Sequence, residues 1–220
     1  MNIAPLVRAR RAMVAKPSWT SLFLKGYALL AWETPELRRA YIKFPWPRLY
    51  EYPESVASVA HERVYQGERA VLLTRIKGPE RRSVAELAEL IQAARSRPIL
   101  EVEEFRRALK MARAPCIVRR LLMWLALNIG RQRPNYFGTF QLSVYSALGS
   151  ESFTPLTPLT TLLNYGPISE AGLVNVRVIY DHRVIDGATV ARALLRLEQI
   201  LNDAVVAELK EPAKGAAVVS

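Results

Sequence analysis

Histidine occurs twice in this chain of 220 residues and cysteine once. A lone thiol, Cys116, permits neither an internal disulfide nor a multi-cysteine metal site. No metal is therefore expected, and a cytoplasmic location is the default expectation. Half of the residues are hydrophobic, yet no uninterrupted apolar run reaches the about 18 residues that a spanning helix needs. The start of the chain lacks a secretory apolar region. Acidic residues are in the minority, 20 against 31 Lys and Arg, for a formal charge of +11. Such a charge suits nucleic acid, an anionic membrane or a phosphorylated small molecule. The basic residues are spread along the chain, denser around 106–133, with no zinc-finger, basic-zipper or RNP signature, so nucleic acid is not the expected partner. The length is enough for one large domain with its own core.

What is present is concentrated in VNVRVIYDHRVIDGATVARALLRLEQIL, from Val174 to Leu201. Val174, Val176, Val178 and Tyr180 alternate as one buried face of a strand, and Val190, Leu194, Leu197 and Leu201 recur at helical spacing. His182 stands at the join, where a strand and a helix hold its backbone while its side chain is free to enter a cleft. Asp186 lies just ahead of the helix, placed to cap its free N–H groups and meet the positive end of its dipole. Gly187 is read as permitting the tight turn. An imidazole fixed there is a candidate general base, and a packed, hydrogen-bonded histidine is the alternative.

Tyr180 to Ala188, Y-D-H-R-V-I-D-G-A, resembles the D-H-R-x-x-D-G signature of the catalytic domain of 2-oxo acid dehydrogenase acyltransferases, the dihydrolipoamide acyltransferase family. That family shares its fold with chloramphenicol acetyltransferase. The resemblance implies an α/β domain, a chloramphenicol acetyltransferase-like mixed sheet flanked by helices, over residues 1–205; a helical insertion at about 98–135 departs from the family, and the alanine, lysine and valine composition of 206–220 reads as a flexible tail. Related domains carry a helix and a first strand ahead of the point matching Met1 to Arg11, which reads here as the tail of a strand and a basic turn. The N-terminal arm is therefore expected to be shortened.

Other segments follow in order. Ser18 is a candidate N-cap for an apolar helix through Trp19, Leu22, Phe23, Gly26, Leu29 and Leu30, stopping at Pro35; Pro35-Glu36-Leu37 resembles the family's P-E-L-N. Tyr41 to Pro53 reads as loop or edge structure, since its prolines do not suit a sheet interior. Ser55 to Ala60 and Ala70 to Ile76 read as two short strands about a turn at Gly67. Ser83 and Glu86 form a capping-box pattern for a helix to about Arg95. His61 follows a strand in HER without a partner pattern and reads as a surface residue.

Pro98 to Asn135 fits the family least. It has room for two helices split by Pro115, the second reading IVRRLLMWLALNIG with Arg119 and Arg120 near its start and Arg131 and Arg133 beyond its end. This helix is too short to span a bilayer. It is expected to pack in the core or against another subunit; membrane-surface contact through 117–130, or covering a lipid-like acceptor, is the alternative.

GTFQLSVYSALG, closing at Gly149, resembles the family's G-T-F-T-I-S-N-L-G strand, and FTPLTPLTTLLNYGPI resembles the stretch that follows it. In the family the serine of that strand donates to an oxyanion. Aligned from the left it is Ser143, with Ser146 as the alternative register. The resemblance thus implies a coenzyme A thioester as co-substrate, His182 as general base, Ser143 as oxyanion donor, Asp186 holding the turn, and Asp181 and Arg183 as structural support. No covalent lipoyl group is expected, and residues contacting coenzyme A are not assigned. The family's site lies between subunits of a trimer, histidine from one and serine from its neighbour, so a homotrimer or larger assembly is expected. A Ser143, His182, Asp186 hydrolase triad is disfavoured because no G-x-S-x-G elbow exists. Two readings of another class remain: a non-catalytic oligomeric scaffold of the same fold, and a protein that sits on membranes through the insertion helix.

Overall fold

The computed structural model describes residues 1–144 and 157–211. Asn2 bridges to Leu173, and the chain then enters helix α1, Ala4–Ala12, where the sequence reads as a basic turn. Pro5 suits a first helical turn, which needs no N–H there, and Leu6 and Val7 are buried against the rest of the domain. Ser18 caps α2, Trp19–Glu33, its Oγ accepting the Ser21 N–H at 3.1 Å, and Pro35 follows the stop. This helix is buried on nearly all sides. Lys25 on it is only 7% exposed, and its charge is met by the carbonyls of Glu80 at 2.9 Å and Arg82 at 2.7 Å and by Glu208 at 3.6 Å, as a buried ammonium requires.

Strands β1, Arg39–Ile42, and β2, Arg48–Glu51, form a separate antiparallel pair within the proline-rich segment. The next hairpin, β3, Val56–Tyr65, and β4, Glu68–Lys77, is longer than its hydrophobic pattern suggests. Ten register pairs run from Val56↔Lys77 to Tyr65↔Glu68, and Gln66 and Gly67 close it at positive φ, 54° and 85°, as a two-residue hairpin turn requires. Helix α3, Val84–Ser96, opens with the capping box Ser83–Glu86. The insertion supplies α4, Glu103–Ala112, α5, Cys116–Asn128, starting straight after Pro115, and the short α6, Arg133–Phe137.

Strand β5, Phe140–Leu142, lies between β3 and β6, Thr161–Ile168, parallel to both. Strand β7, Val174–Tyr180, is antiparallel to β6, which completes a mixed sheet of order β4-β3-β5-β6-β7. Helix α7, Gly187–Asn202, and helix α8, Ala204–Lys210, follow. The main core is formed by α2, α3 and α7 against one face of this sheet, with Phe23 stacked on Tyr165 at 4.0 Å. Gly26 lets α2 and α7 cross closely, since a Cβ there would stand 2.7 Å from Leu201 Cδ2. This is the α/β, helix-flanked mixed sheet expected from the sequence. The packed body extends further than the expected 206–220 tail boundary, because Val205 and Val206 bury one face of α8.

His61 corrects the sequence reading. It is 2% exposed, not on the surface, because Phe105 of α4 roofs it edge-on beside the second small core of Leu72, Ala94, Ile99 and Val102. Its Nε2 lies 2.8 Å from Thr74 Oγ1. Burial, aided by Arg95 and Arg63, pushes its pKa down to about 4, so the folded protein holds the ring neutral. In the unfolded chain the ring titrates near the ordinary value of about 6.5. The stabilisation is thus complete above pH ~6.5 and is lost as the pH falls toward 4, by up to about 3 kcal/mol. Urea unfolding of the native protein and His61→Gln across that range should give stabilities that converge as the pH falls. A gap that stays constant would refute this account.

Candidate active site

The turn after β7 is held from four sides. Asp181 extends the ladder by donating its N–H to the Thr160 carbonyl at 2.9 Å, and its own carbonyl accepts the N–H groups of Val184 and Ile185 at 2.9 and 3.2 Å. Ile185, 3% exposed, plugs the turn into the core. Asp186 caps α7, Oδ1 accepting the Thr189 N–H at 2.7 Å, and that contact holds its carboxyl below the usual range. Gly187 opens α7 and is not among the glycines at positive φ. What it supplies is room, since a Cβ there would stand 3.2 Å from the Tyr180 hydroxyl.

Within this frame His182 is exposed, its ring 5.7 Å from that of Tyr180. The Asp181 carboxylate takes the Arg183 N–H at 3.0 Å, Nε at 2.9 Å and Nη2 at 2.7 Å, and these bonds hold its pKa down. The Arg183 guanidinium also covers the Tyr41 ring at 4.5 Å. Asp181 is therefore engaged by arginine, and the pair fastens the turn to β1.

Arg133 is a residue whose place the sequence does not reveal. It reads as a basic flank of the apolar helix, yet it is 7% exposed. Its Nη1 donates to the Tyr41 carbonyl at 3.0 Å and its Nη2 to the Pro158 carbonyl. It thus ties β1 to the segment leading into β6. Thr160 adds a bond from Oγ1 to the Arg39 carbonyl. No local motif marks Arg133, because all of its partners are distant in sequence.

Ser143 lies just past β5 and is 3% exposed. Its N–H donates to the Leu163 carbonyl at 3.1 Å, and its carbonyl accepts Asn164 Nδ2 at 2.7 Å. Ser146 lies outside the described residues. The sheet register fixes where Ser143 stands relative to His182. Phe140 is level with Thr161, and Thr161 with Tyr180. From that row Ser143 lies three residues one way and His182 two residues the other way, because β5 and β7 run in opposite directions. Asp181, the last ladder residue before the turn, is thus four rows from Ser143, about 13 Å along the sheet at ~3.3 Å per residue, and His182 lies beyond it in the turn. One chain brings His182, Asp181, Arg183, Asp186 and Gly187 together and leaves Ser143 apart, so it holds no serine, histidine, aspartate triad from these residues.

No protein-family model matches the chain, and no curated protein matches it in sequence. Solved structures do match. A probable dihydrolipoamide acetyltransferase of Listeria monocytogenes aligns with TM-score 0.59 and 18% identity, over 100% of this chain and 85% of that one. The dihydrolipoamide acetyltransferase of Azotobacter vinelandii aligns with TM-score 0.55 and 22% identity, over 94% and 76%. A serine, a histidine and an asparagine of that enzyme have been investigated for roles in its catalytic mechanism, the asparagine four residues after the histidine. Chloramphenicol acetyltransferase aligns with TM-score 0.54 and 17% identity, over 91% and 84%. The chain has the fold of these acetyltransferases.

Proposed function

We propose that this chain, built on the acetyltransferase fold, moves an acyl group from a coenzyme A thioester to a thiol or hydroxyl acceptor, with the reacting site completed by a second copy of the chain. The observation that carries the proposal is the exposed imidazole of His182, carried on a turn whose backbone is fastened at the join of strand and helix within D-H-R-x-x-D-G. Asp186 stands four residues after His182, the spacing between the histidine and asparagine investigated in the Azotobacter enzyme.

In this reaction His182 Nε2 takes the proton of the acceptor S–H or O–H as the acceptor attacks the thioester carbonyl carbon. The carbonyl π pair moves onto oxygen, and the Ser143 hydroxyl of a neighbouring copy donates to that oxyanion, a contribution of about 3 kcal/mol in sites of this kind. Collapse re-forms the C=O and expels the coenzyme A thiolate, to which His182 returns the proton. Asp186 and the Asp181–Arg183 pair are positioning residues. Their carboxylates are committed to the helix N-terminus and to arginine, and their work is to keep the imidazole where a neighbour can meet it. A net charge of +11 favours the approach of the polyphosphate co-substrate. The expected assembly is a homotrimer or a multiple of it.

The test is release of free thiol from acyl-coenzyme A thioesters of short to long chain, with dithiol and alcohol acceptors. Acceptor-dependent release is the expected result. No release with any pair, together with no coenzyme A binding by calorimetry, would replace the proposal with a non-catalytic scaffold of the same fold.

A further inference from the structure

Among the described residues, helix α5 neither joins the core nor rests on the body for most of its length. Every residue from Pro115 to Leu125 is exposed, and Ala126 is the one fully buried residue of the helix. The expectation of a core helix therefore fails. At about 100° per residue, Trp124, Ile117, Leu121, Leu125, Val118 and Leu122 lie in one apolar arc of about 160°, interrupted by Asn128 at the last position of the helix. All six are exposed, Ile117 at 82% and Leu121 at 56%. Arg120 flanks one edge of this arc and Arg119 the other.

A second element extends the surface. The turn between β1 and β2 is bound to α5 by the Phe44 N–H, which donates to Asn128 Oδ1 at 3.1 Å, and by the Phe44 ring, 5.0 Å from that of Trp124. Phe44 is 51% exposed and Trp46 66%, with the Arg48 guanidinium 5.9 Å from the Trp46 ring. Aromatic rings thus stand beside basic side chains at one end of an exposed apolar helix.

We infer that α5 and the Phe44–Trp46 turn dock this protein on an anionic lipid bilayer, the helix lying in the plane of the interface. Charge selects this occupant. Between residues 105 and 150 the sequence carries eight Lys and Arg and no Asp or Glu, and of the eight only Arg133 is buried. A second copy seated two-fold symmetrically on this arc would bring Arg119 and Arg120 against their own counterparts, with no carboxylate of this stretch to pair them, and a copy meeting it through a different face, as around a three-fold axis, is the outcome that the oligomeric state tests below. A nucleic acid would satisfy the arginines and leave the apolar arc in water. An anionic interface satisfies both: acyl chains take the arc, arginines flanking it reach the headgroups, and Trp and Phe sit at headgroup depth. Thirteen residues at ~1.5 Å each give about 20 Å, enough to lie in the interface and too little to cross the ~30 Å hydrocarbon. Among the described residues no helix is long and apolar enough to cross a membrane.

The inference is independent of acyl transfer and is tested without it. The full chain is floated with vesicles of phosphatidylcholine alone and of phosphatidylcholine with phosphatidylglycerol, alongside Ile117→Glu/Leu121→Glu and Arg119→Glu/Arg120→Glu. All four side chains are exposed, so neither double variant removes a buried contact. The native chain should partition onto the anionic vesicles only, less so in high salt, and each double variant should partition at least about tenfold more weakly. Native partition that neither double variant weakens would overturn the inference. So would absence of binding to anionic vesicles, whether or not Ile117→Glu/Leu121→Glu lowers the oligomeric state. Lowered oligomerisation without vesicle binding would assign the face to a second copy, and binding to an acidic protein or nucleic acid instead of lipid would assign it to that partner.

Discussion

Replacing His182 by alanine should lower acceptor-dependent thiol release from acyl-coenzyme A by about a thousandfold, within the range of one lost general base. The side chain is exposed and the turn is held by other residues, so stability should change by no more than about 0.5 kcal/mol. Steady-state rates and thermal unfolding of the same preparation separate the two effects. Asp186 supplies the contrast. Asparagine caps a helix as well as aspartate does, so Asp186→Asn should keep most of the activity, whereas Asp186→Ala removes the acceptor of the Thr189 N–H and should lose more. Equal losses in Asn and Ala would mean that the carboxylate itself handles a proton. A His182→Ala protein that turns over at the native rate would remove the imidazole from the mechanism.

What could be read from the sequence is what local forces decide. The β7–turn–α7 unit is legible because the alternation of Val174 to Tyr180, the 3.6-residue spacing from Val190 to Leu201 and the cap at Asp186 are all properties of neighbouring residues. The same holds for the caps of α2 and α3 at Ser18 and Ser83. Misreadings fall where distant packing overrides local pattern. The outer half of the β3–β4 hairpin is rich in charge and does not alternate cleanly, yet α4 roofs it. His61 is buried by Phe105, 44 residues away by sequence number (105 − 61). In α8 a short Ala-Val stretch resembles a tail until its contacts with α1 and α7 are seen. Arg133 is indistinguishable in sequence from Arg131, one buried and the other in solvent. For α5 the sequence predicts an apolar helix and its ends, but only the structure reveals that the fold leaves it uncovered.

The register that separates Ser143 from His182 yields the second large effect. Either Ser143→Ala or His182→Ala alone should be nearly inactive, the serine variant by about a hundredfold. Among the described residues Ser143 bonds through its backbone N–H and carbonyl, which alanine keeps. If each site takes its histidine from one copy and its serine from the next, a ring of three containing both variants should regain activity. Whichever variant is in the majority, one interface of such a ring has an intact histidine facing an intact serine, so about one third of native activity should return. The two variants are co-expressed with different affinity tags, and mixed assemblies are isolated on both tags in turn. Activity recovered in that fraction, and absent from each variant purified alone, is the expected result. A mixed fraction as inactive as its parents would mean that the two side chains do not serve one site. A dilute, demonstrably monomeric native sample with full turnover would defeat the shared site more directly, since about 13 Å of sheet lies between Ser143 and Asp181 within one chain, with His182 beyond it. If Ser143→Ala is silent while Ser146→Ala is not, the shared site stands with the serine shifted by the extra residues before Gly149.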